Sequence, residues 1–284
     1  MELSILYDKL RFEEKTLYDN AIKKGINTRL VDAKTISIST DINGNDFLGD
    51  IFLQRCLSHF RGLYLTSCLE FLGYPVTNTY QVTEICGNKL RTSLILAKSK
   101  IASPKTYFSF NSESFKSLTE KIGFPFVIKP LVGSWGRGVF PVKDGEVANM
   151  IVENREENDT PFSRIYYVQE MIDRPPRDIR CIVAGEQIIT AVYRYSANNE
   201  WRTNVSRGGH TALAPITNEL EDIVLDASKA VGGGILGVDV MEDKNRGLVV
   251  HEINSNVEFR GASQVAQINI ASAMIDYVLE SLKK

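Results

Sequence analysis

Three oxygen-bearing side chains near the end of the chain have the types and spacing of a hard-cation site. Glu252 and Asn254 stand two residues apart in the apolar run 248–254, so on a β-strand both point to one face. Asp239 lies on the run that would pair beside it. Carboxylate and amide oxygens from adjacent strands suit a magnesium ion that also bridges phosphates. The same trio could be the polar side of an edge hairpin, but the apolar neighbours Val238, Val240, Val250 and Ile253 favour a central position.

A second group suits a polyphosphate. Phe126-Val-Ile-Lys129 reads as a strand ending in a lysine, followed by Gly133, Gly136 and Gly138 with Trp135 and Arg137 between them. Glycines let backbone N–H groups approach an anion, and Lys129 and Arg137 add charge. The loop is not of the Walker A type, because Gly138 is followed by Val139 and not by Lys-Ser/Thr. Lys89 opens a helix, where the dipole disfavours a cation unless an anion is near. Gly232-Gly-Gly-Ile-Leu-Gly237 satisfies the dinucleotide pattern G-x-G-x-x-G, but it follows a helix and precedes a strand, the reverse of the required context.

The elements that must position these groups alternate along the chain. Residues 1 to about 88 read as a small open α/β sheet: strands at 3–7, 28–31 and 50–53, a charged helix through Ile22, a helix at 62–72 and an extended piece at 75–78. The polar run 37–50 reads as a loop. A helix is expected at 87–97, strands at 104–108 and 124–129 around a helix at 114–122, a helix at 145–153 and a strand at 165–172. A hairpin about Gly185-Glu186 follows, then a polar loop at 201–209. The helix 219–231 has Leu220, Ile223, Ala227 and Val231 inward. Strands at 237–241 and 248–254 precede a last helix at 264–282.

Composition bounds the partners. The chain has 284 residues, 43% of them hydrophobic and 24% charged, and a net charge of -2, so nothing draws it globally to nucleic acid. The start lacks the features of a signal peptide and no apolar run is long enough to span a bilayer, which predicts a cytoplasmic protein with no membrane partner. Cys56, Cys68, Cys86 and Cys181 form no C-x-x-C pair and read as buried thiols. His59, His210 and His251 show no metal-ligand spacing and read as structural.

Several segments in fixed order carry a family likeness: Arg55-Cys-Leu-Ser-His-Phe-Arg-Gly62, Pro75-Val-Thr-Asn78, Cys86-Gly-Asn-Lys89, Lys129 through Arg137, Gln169-Glu170, Arg177-Asp-Ile-Arg180, Asn204, Arg207-Gly-Gly209, Gly232-Gly-Gly234 and Glu252-Ile-Asn254. With them the chain resembles the ATP-grasp ligases over nearly its whole length. Within these it looks most like the amino-carrier-protein ligases of lysine and arginine biosynthesis, which are related to RimK.

The resemblance implies an α/β ATP-grasp fold: a small N-terminal α/β sheet domain (1–88), then two α+β subdomains enclosing ATP, the central one (89–168) with the phosphate flap and the C-terminal one (169–284) with the metal site. Lys89 and Lys129 would meet the phosphates, and Gly133, Ser134, Trp135, Gly136, Arg137 and Gly138 would cover them. Gln169, Glu170, Met171 and Ile172 would hold adenine, largely through the backbone, with Asp173 and Arg180 also on the nucleotide side and Asn204 near the phosphates. Arg202 would lie near the phosphates, sharing the catalytic role with Lys129. Asp239, Glu252 and Asn254 would bind Mg2+. On the substrate side stand Val205, Ser206 and Glu258-Phe259-Arg260-Gly261-Ala262, and Arg194, whose guanidinium fork fits an amino acid's carboxylate.

The implied reaction activates the C-terminal glutamate carboxylate of a small acidic zinc-bearing carrier protein as an acyl phosphate, then joins it to the α-amino group of glutamate or 2-aminoadipate. The enzyme is expected to be a homo-oligomer. Glutamate enzymes of this kind tend to carry Gly-Phe where this chain has Gly261-Ala262, and aminoadipate enzymes Asn and a small residue, so the pair matches neither pattern and dual specificity is plausible. Two other readings stand beside it: a RimK-like ligase adding glutamate to the C-terminus of a ribosomal or other protein, and an ATP-binding regulatory protein without catalysis.

Overall fold

The computed structural model describes residues 1–41, 49–133, 135–158, 160, 162–196 and 209–281. Three sheets follow one another along the chain. The first is parallel, in the order β2-β1-β3-β4: β1 (Glu2–Tyr7), β2 (Asn27–Asp32), β3 (Ile51–Gln54) and β4 (Val76–Thr77). Parallel strands are covered on both faces, which is why the inner strands β1 and β3 are largely apolar and buried, whereas the edge strand β2 is polar and only partly buried. Leu3 and Ile5 pack against α1 (Phe12–Lys23) and the distant α9 (Ile270–Glu280), while Leu6 packs toward α2 (His59–Phe71).

Two short helices lead out of this sheet, α3 (Tyr80–Gly87) and α4 (Lys89–Lys98). The sequence suggested one helix from Gly87 and none before it. Asn88 separates the two, capping α4 by accepting from the backbone N–H groups of Leu90 (3.0 Å) and Arg91 (3.4 Å), so Lys89 is the first helical residue. A Cβ at Gly87 would collide with the His59 ring where it now lies, so glycine gives that ring its place between α2 and α3.

The second sheet is antiparallel, in the order β5-β8-β6-β7: β5 (Thr106–Ser109), β6 (Phe126–Lys129), β7 (Phe140–Val142) and β8 (Tyr166–Glu170). Alternation divides its two faces. Phe126, Ile128, Tyr166 and Val168 pack under α5 (Ser112–Ile122) and α6 (Gly145–Glu157). The alternate residues Lys129, Tyr167 and Gln169 face the other way, and hydrogen bonds join them.

The third sheet is also antiparallel, in the order β11-β10-β9-β12-β13: β9 (Arg177–Ala184), β10 (Gln187–Tyr195), β11 (His210–Leu213), β12 (Ile235–Asp243) and β13 (Gly247–Asn254). One face carries Ile179, Cys181, Val183, Val238, Val240, Val250 and Ile253 and is covered by α7 (Asn218–Val231), α3 and α4. Val224 shares the inner face of α7 with Leu220, Ala227 and Val231, while Ile223 is only partly buried. The opposite face is apolar at one end, where Ile182 and Val192 pack with the α1/α9 core, and charged at the other, where Asp178, Arg180, Arg194 and Asp239 cluster.

The expected last helix, 264–282, begins later. A short α8 (Arg260–Ser263) precedes it, and Asn269 starts α9 by accepting from the Ser272 N–H at 3.0 Å. No helix among the described residues is long and apolar enough to cross a membrane. Half of the expected 37–50 loop and nearly all of the 201–209 loop lie outside the described residues.

Candidate active site

A cleft of about 940 Å³ opens where the three sheets meet. Arg11 and His59 line it from the first region, Lys89 from α4, Lys129 and the glycine-rich loop from the second sheet, and Arg180, Arg194, Asp239, Glu252 and Asn254 from the third. Gly261 and Ala262 line its far end.

Two β-bulges aim the charged residues. In the β12–β13 hairpin the register shifts by one residue at His251, and beyond it Asp239 lies directly opposite Glu252 and Gly237 opposite Asn254. Val250 and Ile253, three apart, therefore both face the core, while Glu252 and Asn254 face the cleft. In the β9–β10 hairpin a shift between Ile188 and Thr190 places Arg194 opposite Asp178.

Each carboxylate has gathered cations. Arg180 grips both oxygens of Asp239, at 2.6 and 2.7 Å, and Arg194 approaches Asp239 at 3.0 Å. Arg194 also binds Asp178 bidentately at 2.7 and 2.8 Å. Burial opposes a charge at Asp178, but Arg194 and His251 outweigh it and hold its carboxyl well below the usual range. Lys89 Nζ lies 3.3 Å from Glu252. Burial favours neutral Glu252, yet Lys89, His251 and Lys129 bring its pKa to about 2, so it is ionised at neutral pH.

Lys129 is 7% exposed and its ammonium donates to Gln169 Oε1 at 2.6 Å. Gln169 in turn donates to Tyr167 Oη (2.9 Å) and Thr106 Oγ1 (3.1 Å), which fixes the orientation of its amide. Burial pulls the lysine down to about 8, with Glu252 opposing and Lys89 and Arg174 reinforcing the shift. An anion arriving beside Lys89 and Lys129 would therefore relieve a local excess of positive charge.

No group of three His, Cys, Asp or Glu among the described residues is arranged to hold a metal. Glu252 offers a carboxylate and Asn254 a side-chain amide oxygen, while the Asn254 amide nitrogen, buried without a hydrogen-bond partner, is a donor suited to an acceptor such as a phosphate oxygen. That pair suits a cation taking its remaining oxygens from phosphate and water. Asp239 shares the wall, but both of its oxygens are engaged by arginine.

The glycine-rich loop roofs the cleft. Its Gly133 carbonyl accepts from Lys89 Nζ at 2.9 Å, and Trp135 Nε1 donates to Glu258 Oε2 at 3.2 Å. Trp135, Gly136 and Gly138 have left-handed backbones, at φ +58°, +65° and +68°, a conformation that glycine adopts without steric penalty.

Comparison with known proteins fits this geometry. Residues 86–278 match the family model of the RimK-like ATP-grasp domain. The chain belongs to the RimK-like ATP-grasp family. The preceding residues 3–85 match the LysX preATP-grasp domain. The chain is 35% identical over 274 residues to the alpha-aminoadipate–LysW ligase LysX of Saccharolobus solfataricus, covering 96% of this chain and 99% of that one. It is 32% identical to the glutamate–LysW ligase ArgX of Sulfurisphaera tokodaii, covering 100% of both. The crystal structure of a RimK domain ATP-grasp protein from Sphaerobacter thermophilus superposes with a TM-score of 0.79 at 23% identity, over 98% of this chain and 100% of that one, and shows the shared fold.

The ATP-grasp cleft collects many of the residues singled out from the sequence. Lys89, Lys129, Gly133, Trp135, Gly136, Arg137, Arg180, Arg194, Asp239, Glu252, Asn254, Glu258, Arg260, Gly261 and Ala262 all line it. Gly138 does not; it sits against Pro130 within the loop. Gln169 lies behind Lys129, and Glu170, Met171, Ile172 and Asp173 are not among the lining residues. Glu170 instead receives the Lys105 N–H and pairs with Arg246, and Asp173 pairs with Lys244. Phe259 is fully buried, in edge contact with Phe12, and is a core residue rather than a pocket wall. Its alternation with Val257, also buried, turns Glu258 and Arg260 toward the cleft. Ser134, Arg202, Asn204, Val205 and Ser206 lie outside the described residues.

Sequence reasoning missed Asp178, His251, Arg11 and Thr211. Asp178 alternates with Arg180 and so shares its face, a signal that was present. Thr211 pairs with Arg194 across β10–β11 and donates to the Gly261 carbonyl at 3.1 Å, a contact no local pattern announces.

Proposed function

We propose that this chain is an ATP- and magnesium-dependent ligase that joins the α-amino group of glutamate or 2-aminoadipate to the side-chain carboxylate of the C-terminal glutamate of a small, acidic, zinc-bearing carrier protein of the LysW kind. It would act in the cytoplasm, in lysine or arginine biosynthesis, as a homo-oligomer. The observation that carries the reading is the meeting of Lys89 and Lys129 with Glu252 and Asn254 beneath the glycine-rich loop, in a cleft continuous with Gly261 and Ala262. The full-length likeness to ligases named for LysW supports the partner.

In this reading a carboxylate oxygen of the carrier attacks the γ-phosphorus of ATP and the bond to ADP breaks, leaving an acyl phosphate. The amino nitrogen of the incoming amino acid then attacks the acyl carbon, phosphate leaves and the amine's proton passes to solvent. Lys89, Lys129 and Arg137 neutralise the phosphates and keep them in line, the positioning and electrostatic work that dominates phosphoryl transfer. Glu252 and Asn254 would hold Mg2+, which when bound spreads the charge of the transferred phosphoryl group. Arg180 and Lys89 hold the neighbouring carboxylates of Asp239 and Glu252 at the edge of the phosphate site. Arg194 spends its Nε edge on Asp178, which leaves its other nitrogen for the amino acid's carboxylate.

The match of residues 3–85 to a LysX preATP-grasp domain favours a carrier protein over the RimK-like alternative, whose kinship is to residues 86–278. The test is incubation with ATP, Mg2+ and a zinc-bearing carrier ending in glutamate, with both amino acids offered and the product weighed by mass spectrometry. A carrier heavier by one glutamate or aminoadipate residue supports the proposal. ADP release without an adduct, or transfer only to a ribosomal protein tail, sinks it.

A further inference from the structure

The carboxylate of Glu258 is shared by two parts of the molecule that reach the cleft from different sides. Oε1 accepts from Arg11 Nη1 at 2.8 Å and Oε2 accepts from Trp135 Nε1 at 3.2 Å. The first partner belongs to the N-terminal region and the second to the glycine-rich loop. We propose that Glu258 is a latch that holds the loop shut over the reacting groups, a positioning residue for the ligation set out above, on which this inference rests.

The anchored side of the latch is rigid. Arg11 stands at the start of α1 and also grips Glu14, at 2.7 and 3.1 Å, and Glu14 is fully buried beside buried Arg55. Arg55 donates to the Val257 carbonyl at 2.9 Å and Asn256 to the Cys56 carbonyl at 2.7 Å, so the residues leading to Glu258 are pinned to the first region. The moving side is built to be held. Trp135 keeps a left-handed backbone that a bulky side chain rarely adopts, and Arg137 lies 5.0 Å from its ring centroid.

The loop is thereby tied at both ends of the chemistry. Gly133 meets Lys89, which faces Glu252 on the phosphate side. Trp135 meets Glu258, three residues before Gly261, on the amino-acid side. Closing the loop excludes water while the acyl phosphate waits for the amine. With the latch open, a water oxygen attacks the acyl carbon in place of the amine, phosphate leaves and the carrier carboxylate is regenerated. ATP is then consumed without an amide.

Glu258→Ala removes both acceptors, Glu258→Gln keeps one, and Trp135→Phe removes the donor from the loop side, so a folding failure of one variant leaves the others to decide. In the ligation assay, ADP formed per amide is expected to rise about fivefold or more in Glu258→Ala and Trp135→Phe and less in Glu258→Gln, with the double variant no worse than the worse single. A ratio unchanged from wild type, or single effects that multiply in the double variant, overturns the latch. A second measurement needs no ligation: in full-length protein carrying Trp201→Phe, acrylamide quenching of Trp135 should increase about twofold on Glu258→Ala. Unchanged quenching overturns the latch. Failure of the wild-type chain to make any amide would fall on the functional reading instead, with the quenching result still deciding the latch.

Discussion

Two hairpins of the third sheet use the same device to different ends. Each has one bulge, and each bulge sets charged residues face to face: Asp178 with Arg194 across β9–β10, Asp239 with Glu252 across β12–β13. The first pair is complete, a buried bidentate ion pair with both partners under 10% exposed. The second sets two acids opposite each other, an arrangement that is unfavourable by itself. It stands because cations come from elsewhere: Arg180 and Arg194 to Asp239, Lys89 to Glu252. The Asn254 amide nitrogen beside it still has no partner. The first hairpin is finished as structure, whereas the second is completed by what the cleft receives: positive charge for its two acids and a hydrogen-bond acceptor for the Asn254 amide nitrogen.

The largest expected effect tests the second hairpin. Glu252→Ala should lower ligation roughly a thousandfold or more, the equivalent of several kcal/mol of lost metal-assisted charge stabilisation, and leave the melting temperature within a few degrees. Coupled ADP and amide assays on purified protein measure it. Near-normal turnover would show that the cleft does not use this carboxylate.

Asp178→Ala should do the opposite. It takes from buried Arg194 its bidentate partner and leaves it Asp239 at 3.0 Å, and should reduce unfolding free energy by about 1.5–3 kcal/mol in urea titration. A variant as stable as wild type would make the first hairpin a site as open as the second and erase the contrast between them.

Both hairpins were visible in the sequence as strands, but their bulges were not. Pairing continued without a shift from the turn at Gly185-Glu186 puts Tyr193, not Arg194, opposite Asp178. Likewise, unbroken pairing from Asp243 and Gly247 puts His251 opposite Asp239. A one-residue slip moves every later side chain to the other face, and no local residue preference marks where the slip falls. The i, i+2 pair Glu252 and Asn254 was legible because it lies wholly beyond the bulge on one strand. The apolar runs of β1 and β6 were legible because burial on both faces, or an alternation ending in lysine, leaves a plain pattern. Arg11 with Glu258 was not, since the two are brought together by tertiary packing: Val257 and Phe259 enter the core beside α1, and Arg55 and Asn256 tie that segment to the first region.

Lys129 sharpens the comparison from the side of charge. Its folded pKa, about 8, lies below the 10.5 of a free lysine, so the unfolded chain binds the proton more tightly. The cost to the fold is complete below pH 8 and is relieved as pH rises from there toward 10.5. Lys129→Met removes that cost, while Gln169 Oε1 loses its donor. A net gain of roughly 1–2 kcal/mol at pH 7, with loss of ligation, is expected. Urea titrations at pH 7 and 9.5 measure it: the wild type should gain on the variant at the higher pH. An equal difference at both would mean that the lysine is not a charge held for a ligand.

The smallest effect lies where the finished hairpin touches the substrate end of the cleft. Thr211 is the cross-strand neighbour of Arg194, and its hydroxyl donates to the Gly261 carbonyl at 3.1 Å. Strand β11 therefore transmits the fixed position of the Asp178–Arg194 pair to the pocket beside Ala262. Thr211→Val keeps the shape and strand preference and deletes one hydrogen bond, worth about 0.5–1.5 kcal/mol. The KM for the amino acid should rise about two- to tenfold, with kcat and ATP affinity unchanged. Steady-state kinetics with each amino acid resolves this. If ATP affinity shifts instead, β11 serves the phosphate side, and the rigid hairpin would be part of the nucleotide site rather than its neighbour.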